Sequence, residues 1–94
     1  MSGDLVSVIM PVYNAAAWLP RAVESVLRQS HANLELVAVD DDSSDDSLAM
    51  LERFAREDAR VHLQRQPVNG GVAKARNAGV AAAQGDYVAF LDAD

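Results

Sequence analysis

The chain has 94 residues, half of them hydrophobic, and a formal net charge of −6. That length makes one small domain or part of a larger one, and the acidic balance argues against nucleic acid or an anionic membrane surface as partner. Cysteine is absent, so there is neither a disulfide framework nor a thiolate metal site, and no apolar run approaches the ~20 residues of a membrane helix. Met1 to Asp4 leads into a strand-like run instead of the apolar stretch of a signal peptide, and the reading leans to the cytoplasm.

Leu5 to Val12 is β-branched and almost wholly apolar, the pattern of a strand buried on both faces in a parallel sheet. Pro11 cannot donate to a ladder and is expected at the strand's end, with Tyr13 and Asn14 in the loop beyond. Leu19, Ala22, Val23, Val26 and Leu27 follow the spacing of one buried helix face. Pro20 suits the first turn if that helix starts near Trp18; an earlier start at Ala15 would use Asn14 as its cap.

Leu34 to Val39 is the second strand and runs into an acidic stretch, Asp40 to Asp46. Ser44 or Asp45 is expected to cap the next helix, which buries Leu48, Leu51, Phe54 and Ala55. Val61 to Arg65 alternates apolar and polar residues and reads as an edge strand ended by Pro67. Asn69-Gly70-Gly71 forms a turn. A third helix follows, with Val72, Ala75, Gly79, Val80 and Ala83 on one stripe and Gly85 as its stop. Tyr87 to Leu91 reads as a final buried strand.

The order β-α-β-α-β-α-β with short connections predicts an open, mainly parallel α/β sheet. Such sheets bind ligands outside the carboxyl ends of their strands. Tyr13-Asn14, Asp40-Asp41-Asp42 and Asp92-Ala93-Asp94 all fall at those ends. In an extended chain Asp92 and Asp94 point the same way, and their hard oxygens suit Mg²⁺ or Mn²⁺; a plain turn at the strand end is the bland account. A calcium loop from Asp41 through Ser43 and Asp45 to Glu52 fails, because Asp46 stands where glycine is needed and a strand precedes the loop. Capping and solubility account for Asp45, Asp46 and Ser47. The Asn69-Gly70-Gly71 turn could offer backbone N–H groups to a phosphate, with an ordinary turn an equal alternative. Lys74 and Arg76 face either a diphosphate or solvent. His31 and His62 read as surface residues, Trp18 and Tyr87 as packing, and Met10 and Met50 as core filler.

Four blocks carry a family likeness: Val6 to Asn14, Val39 to Asp45, Asn69 to Asn77 and Gly85 to Asp94. Together, in order and spacing, they resemble family 2 inverting glycosyltransferases over essentially the whole chain. The resemblance implies a GT-A fold, a three-layer Rossmann-like α/β/α sandwich whose four strands run in the order 3-2-1-4. It implies a nucleotide-diphosphate sugar as donor, UDP-linked, and a glycan, lipid or other hydroxyl as acceptor. It places Pro11, Val12 and Tyr13 at the base pocket, Asp41 on the base, Asp40 in support of that loop, and Gly71, Lys74 and Arg76 near the nucleotide. Asp94 is then the direct metal ligand, with Asp92 toward the ribose or a metal-bound water. The family usually has glycine where Asp42 and Asp46 stand, so Asp42 is expected to adopt a left-handed backbone.

The implied reaction displaces a nucleoside diphosphate at the anomeric carbon with inversion, using a carboxylate base beyond the D-x-D motif. Residues 1–94 are therefore expected to be the N-terminal nucleotide-sugar-binding part of a larger domain, cut at that motif and without turnover. The parent is expected in polysaccharide or cell-envelope synthesis, at the cytoplasmic face of a membrane. Strand 87–91, with one edge free, is expected to mediate self-association. The rivals are a receiver-like Mg²⁺-dependent phosphoryl-accepting domain and a non-catalytic nucleotide-binding module.

Overall fold

The structure, a computed structural model, describes residues 4–29 and 33–92. Its elements are β1 (Val6–Val12), α1 (Leu19–Leu27), β2 (Leu34–Asp41), α2 (Ser47–Glu57), β3 (Val61–Gln66), α3 (Val72–Ala82) and β4 (Tyr87–Phe90). The strands form one sheet in the order β3-β2-β1-β4, and every neighbouring pair is parallel. A receiver-like sheet would hold β1 between β2 and β3. Here β3 lies beyond β2, which removes that rival.

Alternation along the strands sorts the side chains into two cores. Met10 and Val12 of β1 and Leu36 and Ala38 of β2 close against Leu19, Val23 and Val26 of α1 and Leu51 of α2. Ile9, Val37 and Val39 face the opposite way and meet Ala75 of α3. Helices thus cover both faces, and β2 is buried along its whole length. Each buried Leu, Ile or Val contributes roughly 1.5–3 kcal/mol. On the second face α3 lies low, because its contact residues are small. A Cβ on Gly79 would collide with Cγ2 of Ile9 and lie 3.2 Å from Cγ2 of Val39.

Pro11 lies within β1, one residue before its end. The main-chain groups of Leu5 and Ile9 point to β4, where their carbonyls accept from Tyr87 and Leu91. The same alternation turns the Pro11 nitrogen to that side, past the last β4 residue, Phe90. No ladder bond is lost.

Several sequence expectations are corrected. Asn14 does not cap α1. The helix starts at Leu19 with Pro20 in its first turn, after a turn in which Trp18 and Leu19 both donate to the Ala15 carbonyl. Val72 and Val80 are 52% and 44% exposed; the buried stripe of α3 runs instead through Ala75, Ala78, Gly79 and Ala82. Gly85 is not a left-handed helix stop. It is glycine because a Cβ there would stand 2.5 Å from Ser7 Oγ and 2.7 Å from the Leu5 carbonyl oxygen. β4 is exposed along its length, not buried, since it pairs only with β1 and α3 lies over β1 and β2.

Candidate functional site

An open groove of about 600 Å³ lies at the carboxyl ends of β1, β2 and β4, against the first turns of α3. Pro11, Val12, Tyr13, Asp41, Gly71, Arg76 and Asp92 all line it. Asp40 and Lys74 do not. Asp94 lies outside the described residues.

Asp40 and Asp41 are adjacent and both buried, yet the strand sends them to opposite faces. Asp41 joins Val37 and Val39 on the α3 side and reaches the groove. Asp40 joins Leu36 and Ala38 beneath the α1–α2 side, where its Oδ2 accepts from the Ser43 amide at 3.2 Å and its Oδ1 is buried with no protein partner. The next residue, Asp42, has φ +60° and reverses the chain in the left-handed region, as expected from the glycine usual there.

The Asp41 carboxylate takes both glycine amides of the following turn. Its Oδ1 accepts from Gly70 N and its Oδ2 from Gly71 N, each at 2.9 Å, with Gln66 Nε2 adding a bond at 3.3 Å. The Asn69 side chain donates to the Asp41 carbonyl at 3.1 Å. Gly71, at φ +89°, opens α3 in a conformation that a side chain would strain. The idea that this turn presents free N–H groups to a phosphate is corrected. A protein carboxylate already occupies the positive end of α3.

The loops after β1 and β2 are stitched together. Asn14, at φ +49°, accepts at its Oδ1 from the amides of Ser44 at 2.7 Å and Asp45 at 3.3 Å. The amides of Asn14, Ala15 and Ala16 donate to Ser43 Oγ, Ser47 Oγ and Asp45 Oδ2 at 3.0, 3.0 and 3.1 Å. Asp45 also accepts from Ser47 N at 2.9 Å; the N-cap position of α2 falls to Asp46, which makes no side-chain capping bond, so the expectation that Ser44 or Asp45 caps this helix is corrected. Hydrogen bonding by the Ser47 side chain, then by the Ser47 and Ala16 amides, outweighs desolvation and holds the Asp45 carboxyl below its ordinary value. Much of the acidic run is therefore a lock that shapes the groove rim.

At the other end of the groove the Arg76 guanidinium lies 5.8 Å from the centroid of the Phe90 ring and donates from Nη2 to Asp92 Oδ1 at 3.4 Å. Arg76 Nε is buried without a partner. Sequence reasoning missed Ala15, Trp18, Val72 and Ala75 as groove residues. Trp18 was expected to pack, yet it is 54% exposed. Pro20 carries the missed signal: by starting the helix at Leu19 it leaves the indole outside the buried face. Among the described residues no three carboxylate or imidazole groups converge on a metal site. Asp92 supplies a hard, solvent-reachable oxygen in the groove, which fits the mode in which Mg²⁺ takes one or two carboxylates and completes its shell from phosphates and water.

A parallel α/β/α sheet with a groove at its carboxyl ends defines a Rossmann-like class of domain, in which ligands bind at that end of the strands. The chain belongs to glycosyl transferase family 2, whose profile matches residues 7–94. It is 47% identical over its full length to a Haemophilus influenzae protein described as an uncharacterized glycosyltransferase, covering 38% of that protein. It is 43% identical, again over its full length, to 36% of Escherichia coli WfgD, a UDP-Glc:alpha-D-GlcNAc-diphosphoundecaprenol beta-1,3-glucosyltransferase. The chain thus spans little more than a third of these relatives. Among solved structures, S. aureus TarS in complex with UDP-GlcNAc superposes with a TM-score of 0.86 at 31% identity, over all of this chain and 27% of TarS. The mannosyltransferase PcManGT from Pyrobaculum calidifontis, in complex with GDP-Man and Mn²⁺, gives 0.89 at 29% identity, over 97% of this chain and 28% of the other. The fold is that of GT-A glycosyltransferases, as the resemblance implied.

Proposed function

We propose that the groove binds a nucleotide-diphosphate sugar, UDP-linked, for inverting transfer to a hydroxyl of a glycan, lipid or other acceptor. The observation that carries this is the placement of Asp41 and Arg76 in one groove. Asp41 offers only acceptor atoms, and the groove end it shares with Pro11, Val12 and Tyr13 suits a flat ring. A base with an imino N–H, uracil or guanine, can donate to it; cytosine and adenine lack that proton. Arg76 offers planar donors to a diphosphate. The ligands named for TarS and PcManGT agree with this class.

Asp92, with Asp94, would hold Mg²⁺ or Mn²⁺, which neutralises charge developing on the diphosphate leaving group. The chain's own part is to bind and orient the donor. Neither described carboxylate of the groove is left to serve as general base: Asp41 is held by its amide donors, and Asp92 would be committed to the cation. The 94-residue chain is accordingly proposed as a donor-binding unit without turnover. The diphosphoundecaprenol in the WfgD name, a polyprenyl carrier, supports a parent enzyme that works at a cytoplasmic membrane face in envelope synthesis. No helix of the described residues is long and apolar enough to cross a membrane.

Calorimetric titration with UDP and Mn²⁺, set against CDP and ADP, tests the reading. UDP should bind at least about tenfold more tightly than CDP or ADP, the difference made by a hydrogen bond to a charged group. Equal binding of all three, or none of UDP, defeats it.

A further inference from the structure

Among the described residues Arg76 is the sole basic residue lining the groove, and it is already engaged there. Phe90 lies under its guanidinium, Asp92 takes one Nη2 hydrogen at 3.4 Å, and Nε is enclosed without a partner. Its position is built in. Ala75 and Gly79 bring α3 down onto Ile9 and Val39, which sets residue 76 beside the end of β4. A guanidinium has five donors in a planar fork, and the pair with Asp92 uses one. Nε is enclosed, so it is the remaining Nη donors of this 42% accessible side chain that can meet an oxyanion. The ion pair itself is partly exposed, with side chains 42% and 65% accessible, so it holds weakly enough to be exchanged.

We infer that Arg76 is an exchangeable counter-ion for Asp92. It neutralises that carboxylate while the groove holds no diphosphate; a bound diphosphate draws the guanidinium away and leaves Asp92 to a divalent cation. This rests on the donor-site reading above. A cation arriving alone meets a carboxylate already paired and a positive charge beside it. Nucleotide and cation therefore bind cooperatively, and the coupling is the same whichever arrives first. The charge at position 76 carries the effect, while the shape of the guanidinium carries contact with the diphosphate.

Mn²⁺ binding, followed by the electron paramagnetic resonance of the free ion, tests this on the 94-residue chain with and without UDP. Arg76→Gln should bind Mn²⁺ alone roughly three- to tenfold more tightly than the unaltered chain, by removing the competing pair and a nearby positive charge. It should bind UDP at least about tenfold more weakly, having lost charge-assisted donors. UDP should also tighten its Mn²⁺ affinity less than it does in the unaltered chain. Arg76→Lys keeps the charge and should leave Mn²⁺ affinity in the absence of UDP near the unaltered value. A purely structural arginine would lower both affinities when replaced by glutamine. Mn²⁺ affinity that is unchanged or weaker in Arg76→Gln, with UDP absent, overturns the counter-ion role. Failure of the unaltered chain to bind UDP overturns the donor-site reading instead, and the comparison of Mn²⁺ affinities still decides the pairing.

Discussion

Gly85→Ala tests how the end of the sheet far from the groove is held. Glu35 is buried on β2, 5% exposed, and gathers the strands around its carboxyl group. Its Oε2 accepts from Ser7 Oγ at 2.5 Å and from Gln84 N at 2.7 Å, and Ser7 Oγ in turn accepts from Gly85 N at 2.8 Å. His62 Nε2 stands 3.4 Å from Oε1. A Cβ on Gly85 would lie 2.5 Å from Ser7 Oγ, 2.7 Å from Leu5 O and 2.8 Å from Ser7 N. Two of those atoms are backbone, one in β1 and one in the residue before it, and cannot swing aside. The turn must retreat, which strains packing by about 1–3 kcal/mol. Retreat also pulls Ser7 and Gln84 from Glu35, and a hydrogen bond to a charged group is worth about 1.5–3 kcal/mol. Alanine returns less than about 1 kcal/mol by stiffening the unfolded chain. The net expectation is a loss of about 3 kcal/mol, or about 12–24 °C in Tm for a domain of this size. Urea unfolding followed by circular dichroism measures it, with an unchanged m value showing that surface exposure on unfolding is preserved. UDP affinity of the folded variant should stay within about twofold, since Gly85 is remote from the groove. A loss below about 0.5 kcal/mol would mean that the Glu35 cluster is not packed as described.

Asp41→Asn puts an amide donor where one glycine N–H now donates. It should destabilise the chain by about 2–3 kcal/mol, speed amide exchange at Gly70 and Gly71, and weaken UDP binding by more than about tenfold; unaltered exchange at both glycines would refute the turn-holding role. Asp45→Asn tests the loop lock through pH. The folded carboxyl titrates below the ordinary 3.8, so its contribution is complete above that value and is lost as the pH falls through the lower folded value. The stability gap between wild type and variant should be constant from neutral pH to about 4 and should close below it; a gap that persists unchanged at pH 2 would contradict this. The exposed β4 edge, with Val88 at 42%, is expected to drive concentration-dependent self-association that Val88→Lys abolishes. Light scattering that finds a monomer at all concentrations would refute it.

The element order, the strand-end placement of the polar residues and the blocks that carry the family likeness were legible because they depend on local pattern. Continuous β-branched runs marked the buried parallel strands, and Pro20, Asn69-Gly70-Gly71 and Gly85 punctuated the chain in the right places. The reasons behind those marks were not all legible. Gly85 reads locally as a helix stop, yet it answers to Ser7 and Leu5, which stand about eighty residues earlier. Val72 and Val80 satisfy a helical stripe by hydrophobicity, but the sheet selected the face with the smallest side chains and left the valines outside.

By itself, the sequence determined that this is a parallel α/β domain with acidic and polar residues at its strand ends, because side-chain periodicity and turn chemistry act over a few residues. Only the tertiary structure decided what each of those residues does. One step along β2 turns Asp40 under the sheet and Asp41 into the groove. The glycine turn that reads as a phosphate cradle is filled by Asp41, and Arg76, sixteen residues from Asp92, closes the far end of the groove against it. Those partners are brought together by strand order and by the close approach of α3, and no local pattern records either.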